Sequence, residues 1–217
     1  MASAQACGVR AANGFEVELE RHPDDTCEHL VVRDAATDEI AGSCKLVSPH
    51  DARRNGGYRL ERQFDTALLI VLRERMVEVG PPCIHARYRF EHIANPLWSA
   101  LARYLIARRH DYIVAAASVS LLDGGHVAAS IHRTACARHL SPEDYRVFPR
   151  RRLALENLSE TRAVAAPPLL KGYLDIGAWI CGEPAHDAEN DRAEFPLLLP
   201  LARMQGRDAR RFLAHAV

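Results

Sequence analysis

Residues 76–82 read Met-Val-Glu-Val-Gly-Pro-Pro, a short β-rich run that stops on a glycine and two prolines. Proline has no amide hydrogen to give to a sheet ladder, so pairing along one side of this strand is expected to end at Gly80. Cys83 to Phe90 then reads as a loop. Asn95-Pro96 offers an N-cap side chain followed by a proline at the first helical position, and Leu97, Leu101 and Leu105 mark a buried helical stripe running to about Arg109. Tyr112 to Leu122 (YIVAAASVSLL) has the composition of a buried strand. Strand, loop, helix, strand in that order is the βαβ unit, and it fixes the centre of the fold.

The flanking segments extend the pattern. Glu28 to Ser48 reads as a hairpin, with HLVVRD and IAGSCKLV around the turn-forming AATDE. Arg53 to Arg62, with Asn55-Gly56-Gly57, is expected to be a loop leading to a short segment at Phe64. Thr66 to Glu74 is expected to be helical with Leu68, Leu69 and Leu72 on one face. Further helices are expected at Val127–Arg138, Pro168–Asp175 and Arg207–His215, and strands at Leu153–Leu158 and Phe195–Leu201. The sum is a mixed α/β (α+β) chain.

Length and charge limit what such a fold can do. The chain has 217 residues, one domain with elaborations rather than two. Its 28 basic and 28 acidic residues cancel, so no overall field draws it to nucleic acid, and no nucleic-acid motif is present. All but two of the basic residues, Lys45 and Lys171, are arginines. The six cysteines (Cys7, Cys27, Cys44, Cys83, Cys136, Cys181) form no C-x-x-C pair and read as free, mostly buried thiols of a reducing cytoplasm. The opening residues lack the pattern of a signal peptide, and Lys171 and Asp175 interrupt the most apolar stretch, so a soluble protein is expected. His126, His132 and His139 are not spaced to share one helix face, and His85 and His92 lack a ligand pattern; no metal site is expected.

Three segments carry a resemblance. They are CEHLVVRDAATDEIAG; EVGPPCIHARYRF with LWSALARYL and DYIVAAAS; and PPLLKGYLDIGAWICGEPAHD with FPLLLPLARM. In this order, spanning Cys27 to Met204, they resemble the GNAT-superfamily branch that makes N-acyl amino acids, above all the L-ornithine Nα-acyltransferases; homoserine-lactone synthases are more distant relatives. The resemblance implies a single GNAT-like domain over 1–217, with 1–26 an atypical, shortened N-terminal segment. Its sheet would be mixed, mostly antiparallel, splayed at the centre and flanked by helices. The family's Glu-x-x-Arg reads Glu78-Val79-Gly80-Pro81 here, so the acid is kept and the arginine is not.

The implied reaction is transfer of a (3-hydroxy)fatty acyl group from acyl carrier protein to an amino-acid amine, ornithine first. The phosphopantetheine thioester would be the donor substrate, with no further cofactor. Such a reaction needs no enzyme nucleophile, and neither a G-x-S-x-G nor a Cys-His motif is present. Glu78 is the expected general base, worth about 10²–10⁴ in rate. Val79, Gly80, Cys83 and Ile84 are the expected backbone donors to the pantetheine arm and the oxyanion. Arg87 and Arg89, before a helix N-terminus, are expected to hold the arm's phosphate. The run Arg150-Arg151-Arg152 is the expected docking patch for the acidic carrier protein, and a passing contact with the inner-membrane surface fits a lipid product. Two other readings stand beside this one: a GNAT enzyme using acyl-CoA on another small amine, and a non-catalytic acyl-binding relative.

Overall fold

Met76, Val77 and Glu78 pair in parallel with Tyr112, Ile113 and Val114, the one parallel pair of strands among the described residues. A nineteen-residue helix connects them, so the expected βαβ unit is present. The computed structural model describes residues 9–11, 14–21, 26–156, 158 and 165–204. In chain order the strands are β1 (Val9–Ala11), β2 (Phe15–Glu20), β3 (Glu28–Asp34), β4 (Ile40–Val47), β5 (Phe64–Asp65), β6 (Met76–Val79), β7 (Cys83–Ile84), β8 (Tyr112–Ser120), β9 (Phe148–Pro149), β10 (Trp179–Ile180), β11 (Ala185–Asp187) and β12 (Arg192–Pro200). The α-helices are α1 (Pro49–Arg54), α2 (Leu60–Gln63), α3 (Phe90–Arg108), α4 (His126–His139) and α5 (Pro168–Asp175).

The main sheet runs β1-β2-β3-β4-β6-β8-β12-β10, with β7 added to β4 and β11 to β12; β5 and β9 form a separate pair. All pairings but β6–β8 are antiparallel. The mixed, mostly antiparallel sheet with helices on both faces is therefore the fold expected.

Strand alternation sorts the side chains into two cores. On one face Leu46, Val77, Val79, Ile113, Ala115 and Leu197 pack against α3, α4 and α5. On the other, Met76, Val114 and Leu198 pack with Tyr58, Leu60, Phe64 and Leu69 from the segment between β4 and β6. Glu78 belongs to this second face, between Met76 and the break. Asp51 anchors α1 there: it is fully buried, bonded by Ser48 and held by both terminal nitrogens of Arg21 at 3.0 and 2.8 Å.

Several local expectations are corrected. The helix placed at Asn95-Pro96 begins at Phe90, with Arg89 at the N-cap and Pro96 inside. Packing outweighs the proline signal. Ile93 is fully buried one turn before Leu97, and its Cγ2 would lie 2.8 Å from any Cβ at Gly42, a contact only glycine permits. Residues 67–75 form a 3-10 helix instead of an α-helix, so the three-residue repeat buries Leu69 and Leu72 and leaves Leu68 exposed. The expected loop at Cys83 contains β7, and the expected loop from Arg53 to Arg62 contains α2. No strand forms over 153–156. Arg152 bridges Ala185, but the neighbouring Pro184 has no N–H with which to extend a ladder. The helix expected at Arg207–His215 lies outside the described residues.

Candidate active site

The parallel β6–β8 ladder ends at Glu78↔Val114, while β8 continues alone alongside β12 to Ser120. This is the splay expected from Pro81-Pro82. β6 turns away towards β4, where the Gly80 N–H donates to the Lys45 carbonyl at 2.9 Å.

Beside the splay is a cavity of about 490 Å³. Its walls include Ser43, Lys45 and Val47 of β4, Glu78 and Gly80, Ala116 of β8, and Asn55, Arg59, Leu60 and Gln63 around α2. The pleat accounts for the first group, since alternate residues of β4 and β6 point to one face. An apolar crevice with about 30 Å³ of open volume lies against α3 and α5, lined by Pro82, Phe90, Ala94, Leu97, Trp98 and Tyr173. Cys44, Val79 and Gly80 line both spaces, so the two meet at the end of β6.

Glu78 is only 7% exposed and its carboxylate is clamped at both oxygens. Oε2 accepts the Arg59 N–H and Oε1 the Leu60 N–H, each at 2.7 Å. These are first-turn amides of α2, which has no capping side chain of its own at Arg59. Burial raises the carboxyl above its ordinary value, while the two N–H bonds and the nearby Arg59 charge pull it down; burial prevails. Each oxygen keeps a second lone pair, so the group can still accept a proton. A buried carboxylate with a raised pKa, facing a cavity at a strand break, has the properties of a general base.

The other expected residues divide. Gly80 is corrected as a donor, because Lys45 already takes its N–H. Cys83 and Ile84 sit in the β7–β4 ladder opposite Ser43 and Gly42. Val79, opposite Leu46, is the last residue of β6 and stands at the mouth of the opening. Arg87 and Arg89 lie immediately before α3; Arg89 is its N-cap, no side chain caps the helix, and both arginines are exposed with Glu39 and Glu91 as ion-pair partners. Of the arginine run, Arg152 pairs with Glu183 and Glu156, and Arg150 is bonded through Nε to the Glu61 carbonyl and through its N–H to that of Gln63. Arg150 thus sits against the cavity wall, and Arg151 is exposed.

Cysteine chemistry is poorly served here. Burial pushes the Cys44 thiol up to about 12, and Cys181 likewise to about 12, so neither is a thiolate at neutral pH. Cys83 is the exposed thiol on the cavity wall.

Three features escaped sequence reasoning: the α2 clamp on Glu78, the placing of Lys45 and Arg59 on the same wall, and the buried Oε1 of Gln63, which has no hydrogen-bond partner among the described residues. A fourth, Glu194 on β12, is 2% exposed and receives the Ser118 hydroxyl at 2.5 Å. No local periodicity signals any of them.

Comparison with known proteins gives this geometry a context. The family model described as an acetyltransferase (GNAT) domain matches residues 5–99. The L-ornithine N(alpha)-acyltransferase of Rhodobacter capsulatus is 30% identical over 175 residues, covering 75% of this chain and 66% of that protein. The enzyme of the same name from Agrobacterium fabrum is 27% identical over 200 residues, covering 85% of this chain and 68% of that protein. The chain therefore spans about two thirds of the length of these relatives. Among solved structures, an N-acyl amino acid synthase from uncultured soil microbes aligns with a TM-score of 0.43 at 12% identity, over 88% of this chain and 76% of that chain.

Proposed function

The chain belongs to the GNAT-fold family of N-acyltransferases that includes the L-ornithine N(alpha)-acyltransferases, and from that membership we propose that it transfers a (3-hydroxy)fatty acyl group from acyl carrier protein to the α-amine of L-ornithine, giving a lyso-ornithine lipid. The observation that carries the reading is Glu78: a buried, clamped carboxylate with a raised pKa at the edge of a cavity large enough for an amino acid and a thioester.

In this reading the phosphopantetheine arm approaches from the α3 side. Its phosphate is held at the uncapped N-terminus of α3 with Arg87 and Arg89, where unpaired amides and a partial positive charge favour an anion. The arm follows Pro82 to Val79 and Gly80, and its thioester carbon reaches the cavity where the two spaces meet. Glu78 takes a proton from the acceptor amine, directly or through a water. The nitrogen attacks the carbonyl carbon, the tetrahedral intermediate collapses, and the C–S bond breaks to release the carrier thiol. Val79 at the opening is the backbone candidate for meeting the oxyanion. No residue of the chain becomes acylated, and no resident cofactor is needed.

Acyl carrier protein is the favoured donor because the stretch before α3, PPCIHARYR, holds no glycine-rich cradle for the pyrophosphate of coenzyme A. The carrier would reach Arg150-Arg151-Arg152, where the Arg150 N–H bonds the carbonyl of the cavity-wall residue Gln63. A transient membrane contact belongs to the same proposal. No described helix is long and apolar enough to cross a membrane, but the 3-10 helix exposes Ile70 and Val71 at 62% and 81%.

The test is release of free carrier thiol from 3-hydroxypalmitoyl acyl carrier protein across a panel of amino acids. Release with ornithine, lost in Glu78→Gln, is the expected result. Transfer from the CoA thioester but not from the carrier would favour the acyl-CoA enzyme instead. Bound acyl donor with no release to any amine would favour a non-catalytic relative.

A further inference from the structure

Lys45 and Arg59 are the two cationic side chains among the residues named on the cavity wall, other than histidine, and they flank Glu78 from different directions. Val47 lies directly opposite Glu78 in the β4–β6 ladder. Lys45 is two residues along β4 on the same face, a diagonal neighbour at roughly 7–8 Å. Its position is fixed by the Gly80 N–H on its carbonyl, and a Cβ at Gly80 would come within 3.3 Å of the Lys45 Cβ. Arg59 is held from the other side, since its own N–H binds the Glu78 carboxylate. Neither side chain has a carboxylate within ion-pair distance among the described residues, whereas Arg21, Arg73 and Arg108 beside the core do. The Arg59 charge acts on two carboxylates, Glu78 and Asp187 of β11, in each case as a minor influence beside hydrogen bonds to that carboxylate.

The same wall holds an unused acceptor. Gln63 Oε1 is buried and unpaired, one turn along α2 from the amides that clamp Glu78. A buried amide oxygen without a donor is costly, and a bound ligand with an N–H would relieve it. The wall therefore presents, in one cavity, two exposed cations with no ion-paired carboxylate among the described residues, a carboxylate with free lone pairs, and an amide oxygen that lacks a donor.

We infer that this wall is the subsite for the acceptor's α-amino-acid head group: Lys45 and Arg59 bind its carboxylate, while Glu78 and Gln63 receive its amine N–H groups. The inference rests on the acyl-transfer reading and adds to it the residues that select an amino acid over a plain amine. The four groups match the two ends of one Cα centre. An amine lacking the carboxylate would leave two positive charges facing an unoccupied anion position, and would be oriented by Glu78 and Gln63 alone.

The experiment compares L-ornithine with 1,4-diaminobutane, which differs from it by loss of the carboxylate, as acceptors for the wild type and for Arg59→Gln, Lys45→Gln and Gln63→Leu. The wild type should favour ornithine in kcat/KM by on the order of 100-fold, and each charge-removing variant should cut that preference about tenfold or more, through KM for ornithine. Circular dichroism and thermal melts identify a variant that has failed to fold; Arg59→Lys and Lys45→Arg, which keep the charge, should restore part of the preference. An undiminished preference in the folded charge-removing variants overturns the inference while leaving acyl transfer in place. Should the wild type acylate neither amine, the acyl-transfer reading falls, and calorimetric titration with ornithine decides the subsite. Binding lost in Arg59→Gln upholds it, and no binding to the wild type overturns it.

Discussion

Leu60 donates its backbone N–H to Oε1 of Glu78 at 2.7 Å across 18 residues of chain, so the carboxylate that faces the cavity also closes the first turn of α2. Structure and chemistry therefore share one group. Replacing Glu78 with glutamine should lower acyl transfer by about 10²–10⁴. It should also cost about 1–3 kcal/mol of stability, because the amide NH₂ cannot accept from the second helical N–H. Parallel turnover and thermal-melt measurements separate the two effects, and a loss of activity no larger than the loss of folded protein would remove Glu78 from the chemistry.

The pH dependence has a definite sign. Burial raises the Glu78 carboxyl in the folded protein above its value in the unfolded chain, so the fold holds the proton to higher pH. Its contribution to stability is full below the ordinary carboxylate value and is lost as pH rises through the raised folded value. Activity runs the opposite way, since the base works only when ionised. The expected profile of kcat/KM rises through a limb above the usual carboxylate range, and that limb disappears in Glu78→Gln. A limb unchanged in the variant would assign it to another group.

The central break was legible because proline acts locally: two missing amide hydrogens after Gly80 end a ladder whatever surrounds them. The βαβ unit was legible for a similar reason, its leucine stripe being a property of consecutive residues. The start of α3 was misplaced by one and a half turns, since Ile93 packs on Gly42 and that distant glycine leaves no local sign. The Glu78 clamp was beyond reach for the same cause. It joins β6 to a four-residue helix too short to show any periodicity, so Arg59 reads in the sequence as one more arginine of a loop. The candidate base could be named from the chain, but its orientation and its cationic neighbours depend on contacts between segments.

Cys83 supplies a test of direct attack. It is exposed on the cavity wall, whereas burial holds Cys44 at about 12. Direct transfer predicts that Cys83→Ser retains turnover within about threefold, and that intact mass of the wild type incubated with donor alone shows no acyl adduct. A stable adduct on Cys83 that is discharged by ornithine would replace direct attack with a two-step route.

The phosphate site is tested by changing the donor. Arg89 caps α3 without a side-chain bond to the helix, and Arg87 stands two residues before it with Glu39 as its partner. Arg89→Ala and Arg87→Ala should each raise KM for the carrier-protein thioester by about three- to tenfold, a modest effect because both side chains are exposed. An N-acetylcysteamine thioester of the same acyl group has no phosphate, so its turnover should be insensitive to both changes. Equal losses with both donors would mean that the arginines act on the fold and not on the phosphate.

The 3-10 helix carries the last prediction. Its three-residue repeat turns Leu69 and Leu72 into the core and leaves Leu68, Ile70 and Val71 exposed, an arrangement that an α-helix over the same residues would have partly hidden. It also leads directly into β6, and so adjoins the strand that ends at the reaction cavity. Isolated exposed apolar residues are ordinary, but three within four positions form a patch suited to the headgroup–acyl boundary of a bilayer, where a lipid product would leave. Co-sedimentation with phosphatidylglycerol vesicles should therefore retain the wild type and lose the double variant Ile70→Ser, Val71→Ser by about tenfold or more. Transfer of a short, water-soluble acyl group should be unaffected by the same change, because neither residue lines the cavity. Equal sedimentation of both proteins would place any membrane contact elsewhere on the surface.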